Sequence, residues 1–202
     1  MKIVSRPKDN HPASKQAKID LRLQVLAAVQ PANVLDCFCG TGEMYRGAWH
    51  RAARYVGCDE RPWDRSHPPR FVADNRRLMR AIDLQCYNVF DFDSYGSPWD
   101  QFEILAARRR WAPGEQGAVV FTDGSSLKLR WGSMPASLAR FLGVPSSGGV
   151  PSSGGESDFR MIALTNWALS SGVKISRMWQ ARGVGQARVV YGAVIFAGAP
   201  AR

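Results

Sequence analysis

The chain has 202 residues, a length that fits one α/β domain with a sizeable hydrophobic core. Hydrophobic residues make up 45% of it and charged residues 22%, an ordinary balance for a globular protein. No apolar run approaches the roughly 20 residues that span a bilayer, and the N-terminus lacks the apolar core of a signal peptide, so we expect a cytoplasmic protein with no membrane partner. The formal net charge of +10 favours contact with a polyanion, RNA or DNA.

The spacing of cysteine and histidine argues against a metal site. The four cysteines (Cys37, Cys39, Cys58 and Cys86) include no C-x-x-C pair, and the three histidines are scattered along the chain. All the cysteines lie in or beside apolar segments. The pattern therefore predicts reduced, buried thiols and no bound metal.

Apolar periodicity predicts strands that alternate with helices. Residues 1–15 are polar and are expected to form a flexible arm, and residues 16–202 to form a single domain. The expected helices are 16–30, 43–53, 98–111 and 158–171. The expected strands are 33–39, 54–58, 70–73, 87–92, 118–122, 173–181 and 187–196. Together they predict a mostly parallel seven-stranded sheet with helices on both faces, finished by a C-terminal antiparallel hairpin.

A tandem repeat interrupts this order. The hexapeptide Val-Pro-Ser-Ser-Gly-Gly occurs twice in succession from Val144. Segments rich in Ser and Gly cannot bury a core, so a mobile insertion is expected around 143–157. It is either a tolerated duplication in a surface loop or part of a lid, running from Gly124 to Ser157, that covers the substrate side.

Two motifs suit a nucleotide-like ligand. The first strand runs into Gly40-Thr41-Gly42, where glycines let the backbone turn close to a ligand. A dinucleotide-binding loop needs a further glycine where Tyr45 stands, so a pyrophosphate is not the expected ligand. An acidic residue about 20 positions on, Asp59 or Glu60, can bind ribose hydroxyls. The alternative for that pair is a solvent-exposed acidic turn.

The segment Asp91-Phe92-Asp93-Ser94-Tyr95-Gly96-Ser97-Pro98 follows the fourth strand, where open α/β sheets bind ligands. The segment resembles that of amino-methyltransferases, in which an Asp or Asn there accepts the N–H bonds of an exocyclic amine and localises its lone pair for attack on a methyl group. An adjacent aromatic ring can stack on an extruded base. Asp93 and Tyr95 are the candidates for these two roles. Alternatively, Asp93 caps a turn and Tyr95 packs against its neighbours.

Basic residues follow the third and fifth strands. Cations with an interleaved aromatic ring suit a flipped or single-stranded nucleotide. The residues are Arg76, Arg77, Arg80, Lys128 and Arg130, with Trp131 beside the last two. The run Arg108-Arg109-Arg110 ends a predicted helix, where cations interact favourably with the helix dipole, so we assign it to structure.

These motifs resemble known methyltransferases. The glycine loop, with Asp36 and Phe38 before it, resembles the S-adenosylmethionine (SAM)-binding loop of class I methyltransferases. Residues 91–98 resemble the Asp-x-Asp-Pro-Phe/Tyr-Gly-Ser-Pro segment of the tRNA guanine exocyclic-amine dimethyltransferases, with Ser94 in place of the family's Pro. Thr122-Asp123 resembles that family's Thr-Asp. The resemblance spans roughly residues 33–123.

The resemblance implies a Rossmann-like class I fold and a SAM-dependent methyltransferase that N-methylates an exocyclic amine of a base in RNA or DNA. It places Asp74, or Asn75 beside it, against the adenine, although Asp74 also suits a helix N-cap. The implied cofactor-binding residues are Asp36, Phe38, Gly40, Gly42, Asp59, Glu60, Asp74 and Asn75. The implied catalytic residues are Asp93 and Tyr95. The implied substrate-binding residues are Ser94 and Pro98, and the basic residues Arg76, Arg77, Lys128 and Arg130 are expected to bind substrate because of their charge and position.

Two other functions stay open at this point. The chain could methylate a protein or a small molecule, in which case its basic charge is incidental. It could also be a non-catalytic module that binds SAM or nucleic acid. No feature of the sequence indicates the oligomeric state.

Overall fold

The computed structural model describes residues 12–61, 70–125, 134–146, 158–183 and 189–200. These residues form a seven-stranded sheet with the strand order β3-β2-β1-β4-β5-β7-β6. The first five strands in the chain pair in parallel, and β7 pairs antiparallel with both β5 and β6. The predicted parallel sheet with a C-terminal antiparallel hairpin is confirmed.

The strands and helices lie close to their predicted positions, with strand ends that differ by a few residues. The strands are β1 (Asn33–Asp36), β2 (Arg54–Asp59), β3 (Arg70–Val72), β4 (Val89–Phe92), β5 (Gln116–Asp123), β6 (Val173–Arg182) and β7 (Val190–Gly198). The helices are α1 (Pro12–Ala28), α2 (Glu43–Gly47), α3 (Asn75–Ala81), α4 (Trp99–Arg108), α5 (Ala136–Leu142) and α6 (Asp158–Ser170). Short 3₁₀ turns cover Trp49–Arg51 and Leu84–Cys86.

Two apolar cores cover the two faces of the sheet. Side chains alternate along a strand, so neighbours in β1 and β4 enter different cores. Val34 and Val89 pack in the core that contains α1. Leu35 and Phe90 pack in the core that contains α4 and α6. This alternation places Asp36 and Asp91 on the α1 face.

Three expectations need correction. Helix α1 begins at Pro12, so the predicted arm of residues 1–15 is wrong for residues 12–15, which continue the helix that covers the sheet. Helix α5 lies inside the segment predicted as a continuous loop from Gly124 to Ser157, because Leu138 and Ala139 are buried against the core. Cys86 is exposed, whereas Cys37, Cys39 and Cys58 are buried as predicted.

The predicted insertion around 143–157 is described only as far as residue 146. Residues 147–157 lie outside the described ranges, as do residues 1–11. In the part of the chain that is described, no helix is both long and apolar enough to cross a membrane.

A buried ion pair joins α1 to β4. The guanidinium of Arg22 donates to both carboxylate oxygens of Asp91, from Nε at 2.7 Å and from Nη2 at 2.8 Å. The indole N–H of Trp49 donates to the same carboxylate at 2.7 Å. Arg22 and Asp91 are 1% and 0% exposed, so each depends on the other for compensation of its buried charge.

Asp36 lies beside this pair, opposite Asp91 in the register of β1 and β4. It accepts hydrogen bonds from the Tyr55 hydroxyl at 3.0 Å and from the Phe38 main-chain N–H at 3.1 Å. Burial, together with the negative charge of Asp91, raises the pKa of Asp36 well above its ordinary range. Asp36 is therefore a buried carboxyl group whose surroundings favour its neutral form and which links β1 to β2.

We predict that Arg22→Met lowers the free energy of unfolding by about 3–5 kcal/mol, because it strands the Asp91 carboxylate in a dry interior. Urea denaturation measures this loss. Lys15→Met is the matched control in the same helix, since the Lys15–Glu43 ion pair is about half exposed on both sides and should contribute less than about 1 kcal/mol. Equal losses in the two variants would contradict this account of the ion pair.

Candidate active site at the carboxyl edge of the sheet

The parallel strands β1, β2, β3, β4 and β5 place their carboxyl ends at one edge of the sheet. Strand register sets Asp36 opposite Gly57 and Asp91, and Phe92 opposite Phe121. The loops after these strands therefore meet in one region. Open α/β sheets bind ligands at this edge, outside the carboxyl ends of the strands.

The Gly40-Thr41-Gly42 loop turns through left-handed backbone at both glycines, with φ of 51° at Gly40 and 77° at Gly42. The Gly42 N–H donates to the Cys39 carbonyl at 2.8 Å, which closes the turn. A Cβ built on Gly40 would have only the Phe38 carbonyl oxygen within 4 Å, at 3.9 Å. The space beside Gly40 is therefore open, and a ligand can approach its backbone closely.

Asp59 is fixed against this loop. Its Oδ2 accepts the Gly40 N–H at 3.0 Å, and its Oδ1 accepts the Arg61 N–H at 3.0 Å. Glu60, the other acidic candidate, is exposed. Of the two, the structure brings Asp59 into contact with the glycine loop.

The side chains of Asp36 and Phe38, both predicted to bind the cofactor, lie on opposite faces of the sheet. The Asp36 carboxyl points into the α1 face and is occupied by Tyr55 and the Phe38 N–H. Phe38 is half-buried against the core on the opposite face of the sheet. Both residues shape the loop from below, Asp36 by hydrogen bonding and Phe38 by packing.

Asp74 caps helix α3. Its carboxylate accepts the main-chain N–H groups of Arg76 and Arg77, at 2.8 Å and 3.2 Å, and the Arg76 guanidinium at 2.9 Å. The hydrogen bond from the Arg76 side chain, followed by those from the main chain, lowers the pKa of Asp74 to about 2. Asn75 is buried, and its Oδ1 accepts from Gln101 at 2.8 Å. The predicted N-cap role of Asp74 is confirmed, and Asn75 ties α3 to α4.

Asp93 follows β4 at the mouth of the site, and its side chain is 15% exposed. Its Oδ1 accepts from the Lys18 ammonium at 2.8 Å and from the Thr122 hydroxyl. Its Oδ2 lies 3.5 Å from Nη2 of Arg22. Burial raises the pKa of Asp93, but the charges of Lys18 and Arg22 and the two hydrogen bonds outweigh it, so the pKa lies below its ordinary value. Asp93 is a carboxylate at neutral pH.

The loop that carries Asp93 is held from beneath. Ser94 is buried, and its hydroxyl donates to the Thr122 carbonyl at 2.9 Å. The Gly96 carbonyl accepts the Gly124 N–H at 2.5 Å. Pro98 is buried at the N-cap position of α4. Ser94 and Pro98 thus shape the loop from inside, with the serine hydroxyl bonded to β5.

Tyr95 is the exposed side chain of this loop, at 69%. Partial burial, together with the negative charges of Asp93, Asp59 and Glu43, raises its pKa. Asp59, which contacts the glycine loop, and Asp93 therefore both act electrostatically on Tyr95. An exposed ring in that position can stack on a planar ligand.

Two further carboxylates near this edge, Asp91 and Asp123, already have partners within the protein. Asp91 is bound by Arg22 and Trp49, as described above. Asp123 is fully buried and accepts from Nε of Arg160 at 2.7 Å and from the Ser125 N–H at 2.8 Å. Asp93 is the carboxylate of these three that reaches the surface of the site.

A charged cleft of about 320 Å³ lies beside Asp74, between α3, α4 and α5. It is lined by Asp74, Arg76, Arg77, Arg80, Asp100, Glu103 and Arg140. Arg76 pairs with Asp74 and Asp100, and Arg140 pairs with Glu103. The guanidinium groups of Arg77 and Arg80 form no ion pair within the described ranges. Lys128 and Arg130, also predicted to bind substrate, lie outside those ranges.

The structure adds two residues that sequence reasoning missed, Lys18 and Arg22, and shows that Thr122, noted in the sequence only as part of the Thr-Asp pair, contacts Asp93. The sequence did hold a signal for Lys18 and Arg22. Lys18 and Arg22 stand four residues apart in α1, and Arg22 lies between the buried Leu21 and Val25. A cation at the centre of a buried helical face needs a buried anion as its partner. Among the described residues, no cluster of three or more His, Cys, Asp or Glu side chains that could hold a metal occurs.

Comparison with known proteins shows likeness in structure alone. No protein-family model matches the chain, and no curated protein matches its sequence. The N-methyltransferase NodS from Bradyrhizobium japonicum WM9, solved with S-adenosyl-L-homocysteine, matches with a TM-score of 0.58 and 14% identity over 96% of this chain and 90% of NodS. Trm1 from Pyrococcus horikoshii, solved with SAM, matches with a TM-score of 0.63 and 16% identity over 96% of this chain and 57% of Trm1.

A third structure, TYW2 from M. jannaschii in complex with AdoMet, matches with a TM-score of 0.55 and 10% identity over 97% of this chain and 79% of TYW2. At such identities the likeness is one of fold. The chain has the Rossmann-like fold of class I SAM-dependent methyltransferases, as its sheet order and C-terminal hairpin indicate. The expected fold class is confirmed.

We predict that Asp74→Ala lowers the free energy of unfolding by about 1 kcal/mol through loss of the N-cap, and that Asp74→Ser retains most of it. The carboxylate's pKa is about 2, below the unfolded value, so its contribution is present at neutral pH and is lost as the pH falls toward 2. Urea denaturation at pH 7 and at about pH 3 should show the deficit of Asp74→Ala shrinking in acid. A deficit that grows in acid would contradict the capping role.

Proposed function

We propose that this protein is a SAM-dependent methyltransferase that N-methylates an exocyclic amine of a nucleic-acid base. The observation that carries the proposal is the position of Asp93. It is an ionised carboxylate at the carboxyl end of β4, within the same edge of the sheet as an open glycine loop.

The cofactor end is formed by the glycine loop and Asp59. The two left-handed glycines leave backbone exposed to a ligand, and Asp59 stands against Gly40, where its carboxylate can exchange the Gly40 N–H for ribose hydroxyls. Asp74, at the end of β3, is the candidate for the adenine amine. SAM supplies an electrophilic methyl group on a sulfonium ion when it is bound. The carboxylates of Asp59 and Asp74 accept hydrogen bonds and carry negative charge, which suits a cationic ligand that bears ribose hydroxyls and an amine.

We predict that calorimetry detects binding of SAM but not of NAD, because Tyr45 stands where a dinucleotide-binding loop requires glycine. Gly40→Val should abolish SAM binding, since its side chain enters the open space beside the loop. Gly172→Val is the matched control. Gly172 has a similar left-handed φ of 64°, but it precedes β6 at the opposite edge of the sheet. Binding of NAD alone, or equal loss of SAM binding in both variants, would contradict the assignment.

The reaction end is formed by Asp93 and Tyr95. An exocyclic amine is a poor nucleophile because its lone pair is delocalised into the base. Asp93 Oδ2 has no hydrogen bond among the described residues and can accept an amine N–H, which localises the lone pair. The nitrogen then bonds to the methyl carbon as the S–CH₃ bond breaks, its electron pair staying on sulfur, and the methylated nitrogen loses a proton to water. The exposed Tyr95 ring can stack on the base.

The proposal of a nucleic-acid substrate is supported by charge and by the motif. The chain carries a net charge of +10. Arg77 and Arg80 line the cleft beside Asp74 with no carboxylate paired to them in the described ranges, so both can meet phosphate groups. The resemblance of residues 91–98 to enzymes that methylate a base amine supports the same conclusion.

We predict that Asp93→Ala lowers kcat for methyl transfer to a base amine by about 10²–10³-fold, by analogy with loss of one transition-state hydrogen-bond partner, and leaves the Kd for SAM nearly unchanged. Asp93→Asn should keep partial activity, because its amide oxygen can still accept a hydrogen bond. Asp20→Ala, an exposed position in α1, serves as the control. Full activity in both Asp93 variants would show that this side chain only stabilises the turn.

A further inference from the structure

The spacing of two cations on α1 matches the spacing of two carboxylates at the end of β4, where Asp91 lies in the strand and Asp93 directly follows it. Four residues of α-helix rise about 6 Å, and two residues of a strand rise about 6.6 Å. Arg22 and Lys18 therefore meet Asp91 and Asp93 side by side, at 2.7 Å and 2.8 Å. Because the order is reversed, α1 runs antiparallel to β4 and brings its first turns to the carboxyl edge of the sheet.

The two ion pairs differ in burial. Arg22 and Asp91 are sealed in the interior, with side chains 1% and 0% exposed. Lys18 and Asp93 lie at the mouth of the site, with side chains 18% and 15% exposed. The inner pair holds α1 on the sheet, and the outer pair is open to the space in which a substrate would lie.

We propose that Lys18 is a positioning residue for methyl transfer, which holds Oδ1 of Asp93 so that Oδ2 is directed at the substrate amine. The inference rests on the proposed function. Lys18 Nζ and the Thr122 hydroxyl both donate to Oδ1, from α1 and from β5. Oδ2 has only the 3.5 Å contact with Arg22. One oxygen is thus fixed by the protein, and the other keeps lone pairs for a ligand.

Lys18 is itself held in place. Its ammonium lies 5.0 Å from the centre of the Tyr191 ring on β7, a favourable cation–π distance. Its main-chain carbonyl accepts from Nη1 of Arg22 at 2.8 Å. The cation that orients Asp93 is therefore fixed by its contact within α1 and by the Tyr191 ring before any substrate arrives.

The charges around Asp93 give the ion pair a measurable signature. Lys18 and Arg22 face it from α1, Asp91 lies two residues before it on β4, and Tyr95 lies two residues after it. Thr122, the contact from β5, is neutral. Removing Lys18 leaves one cation opposed by Asp91 and by burial, so the pKa of Asp93 should rise. Once protonated, Asp93 carries no negative charge to attract the N–H of the amine. As the pH is lowered, the activity of a variant without Lys18 should therefore begin to fall at a higher pH than the activity of the wild type.

The test uses Lys18→Met, Lys18→Arg and the control Lys15→Met in the full chain. Methyl transfer to a base amine is measured against pH, and the Asp93 carboxyl is titrated by carbon-13 NMR. We expect Lys18→Met to lower kcat roughly 10- to 100-fold, as loss of a charge-assisted hydrogen bond predicts, with the SAM Kd unchanged. We expect both the acidic limb of the rate profile and the Asp93 titration to move to higher pH. Lys18→Arg should recover most of the rate, and Lys15→Met should match the wild type.

The outcomes separate the inference from the function on which it rests. An Asp93 titration that is the same in Lys18→Met and wild type would overturn the positioning role, whatever the activity. If Lys18→Met transferred methyl groups as fast as the wild type, or faster, Lys18 would only occupy the position of the amine until substrate displaces it. That result would also overturn the inference. A wild type that transfers no methyl to any base amine, with the titration shifted as expected, would overturn the proposed function while confirming the ion pair.

Discussion

The ion pair between Arg22 and Asp91 sets the geometry on which the candidate site depends. Neither charge can lie in a dry interior without the other, so α1 packs on the sheet at the height where Arg22 meets β4. The position of Arg22 then fixes that of Lys18, one helical turn away. Lys18 in turn meets Asp93, which directly follows β4 and lies on the same face as Asp91. A structural constraint in the core thereby determines the surroundings of the proposed acceptor.

The same logic explains why the carboxylates of this edge have different properties. Asp36, Asp91 and Asp93 all belong to the α1 face, but only two cations serve them. Asp91 takes the buried guanidinium, and Asp93 takes the ammonium at the surface. Asp36 is left with hydrogen bonds from neutral donors and has a raised pKa. Burial and partner choice thus leave one ionised carboxylate at the mouth of the site.

The substitution of Ser94 for the proline of the resembled motif is compensated within the fold. Proline would restrict the backbone after Asp93 but could donate no hydrogen bond. Ser94 instead donates its hydroxyl to the Thr122 carbonyl, and its N–H to the Phe92 carbonyl at 2.7 Å. The hydroxyl of the same Thr122 holds Asp93. The loop after β4 is therefore attached to β5 at successive points, and the Asp93 side chain is held without the proline.

Local sequence patterns predicted the elements and the order of the motifs, because strand alternation, helical periodicity and glycine turns are short-range signals. The Asp74 cap and the Gly40 turn were accessible for this reason. The pairing of Lys18 with Asp93 was not, since 75 positions separate the two residues and only the packing of α1 brings them together. Helix α5 was missed because a short helix between polar, Gly-rich segments has little periodicity to detect. The start of α1 at Pro12 was missed because its first residues are polar.

The central claim is that the protein moves a methyl group from SAM to a base amine. The direct measurement is transfer of labelled methyl from SAM into separate pools of tRNA, rRNA, DNA, protein and small metabolites, followed by hydrolysis of the labelled pool to its components. The account predicts label in RNA or DNA, recovered as a nucleoside methylated on its exocyclic nitrogen. Label confined to protein or metabolites, or to a ring or ribose position of the nucleic acid, would contradict it.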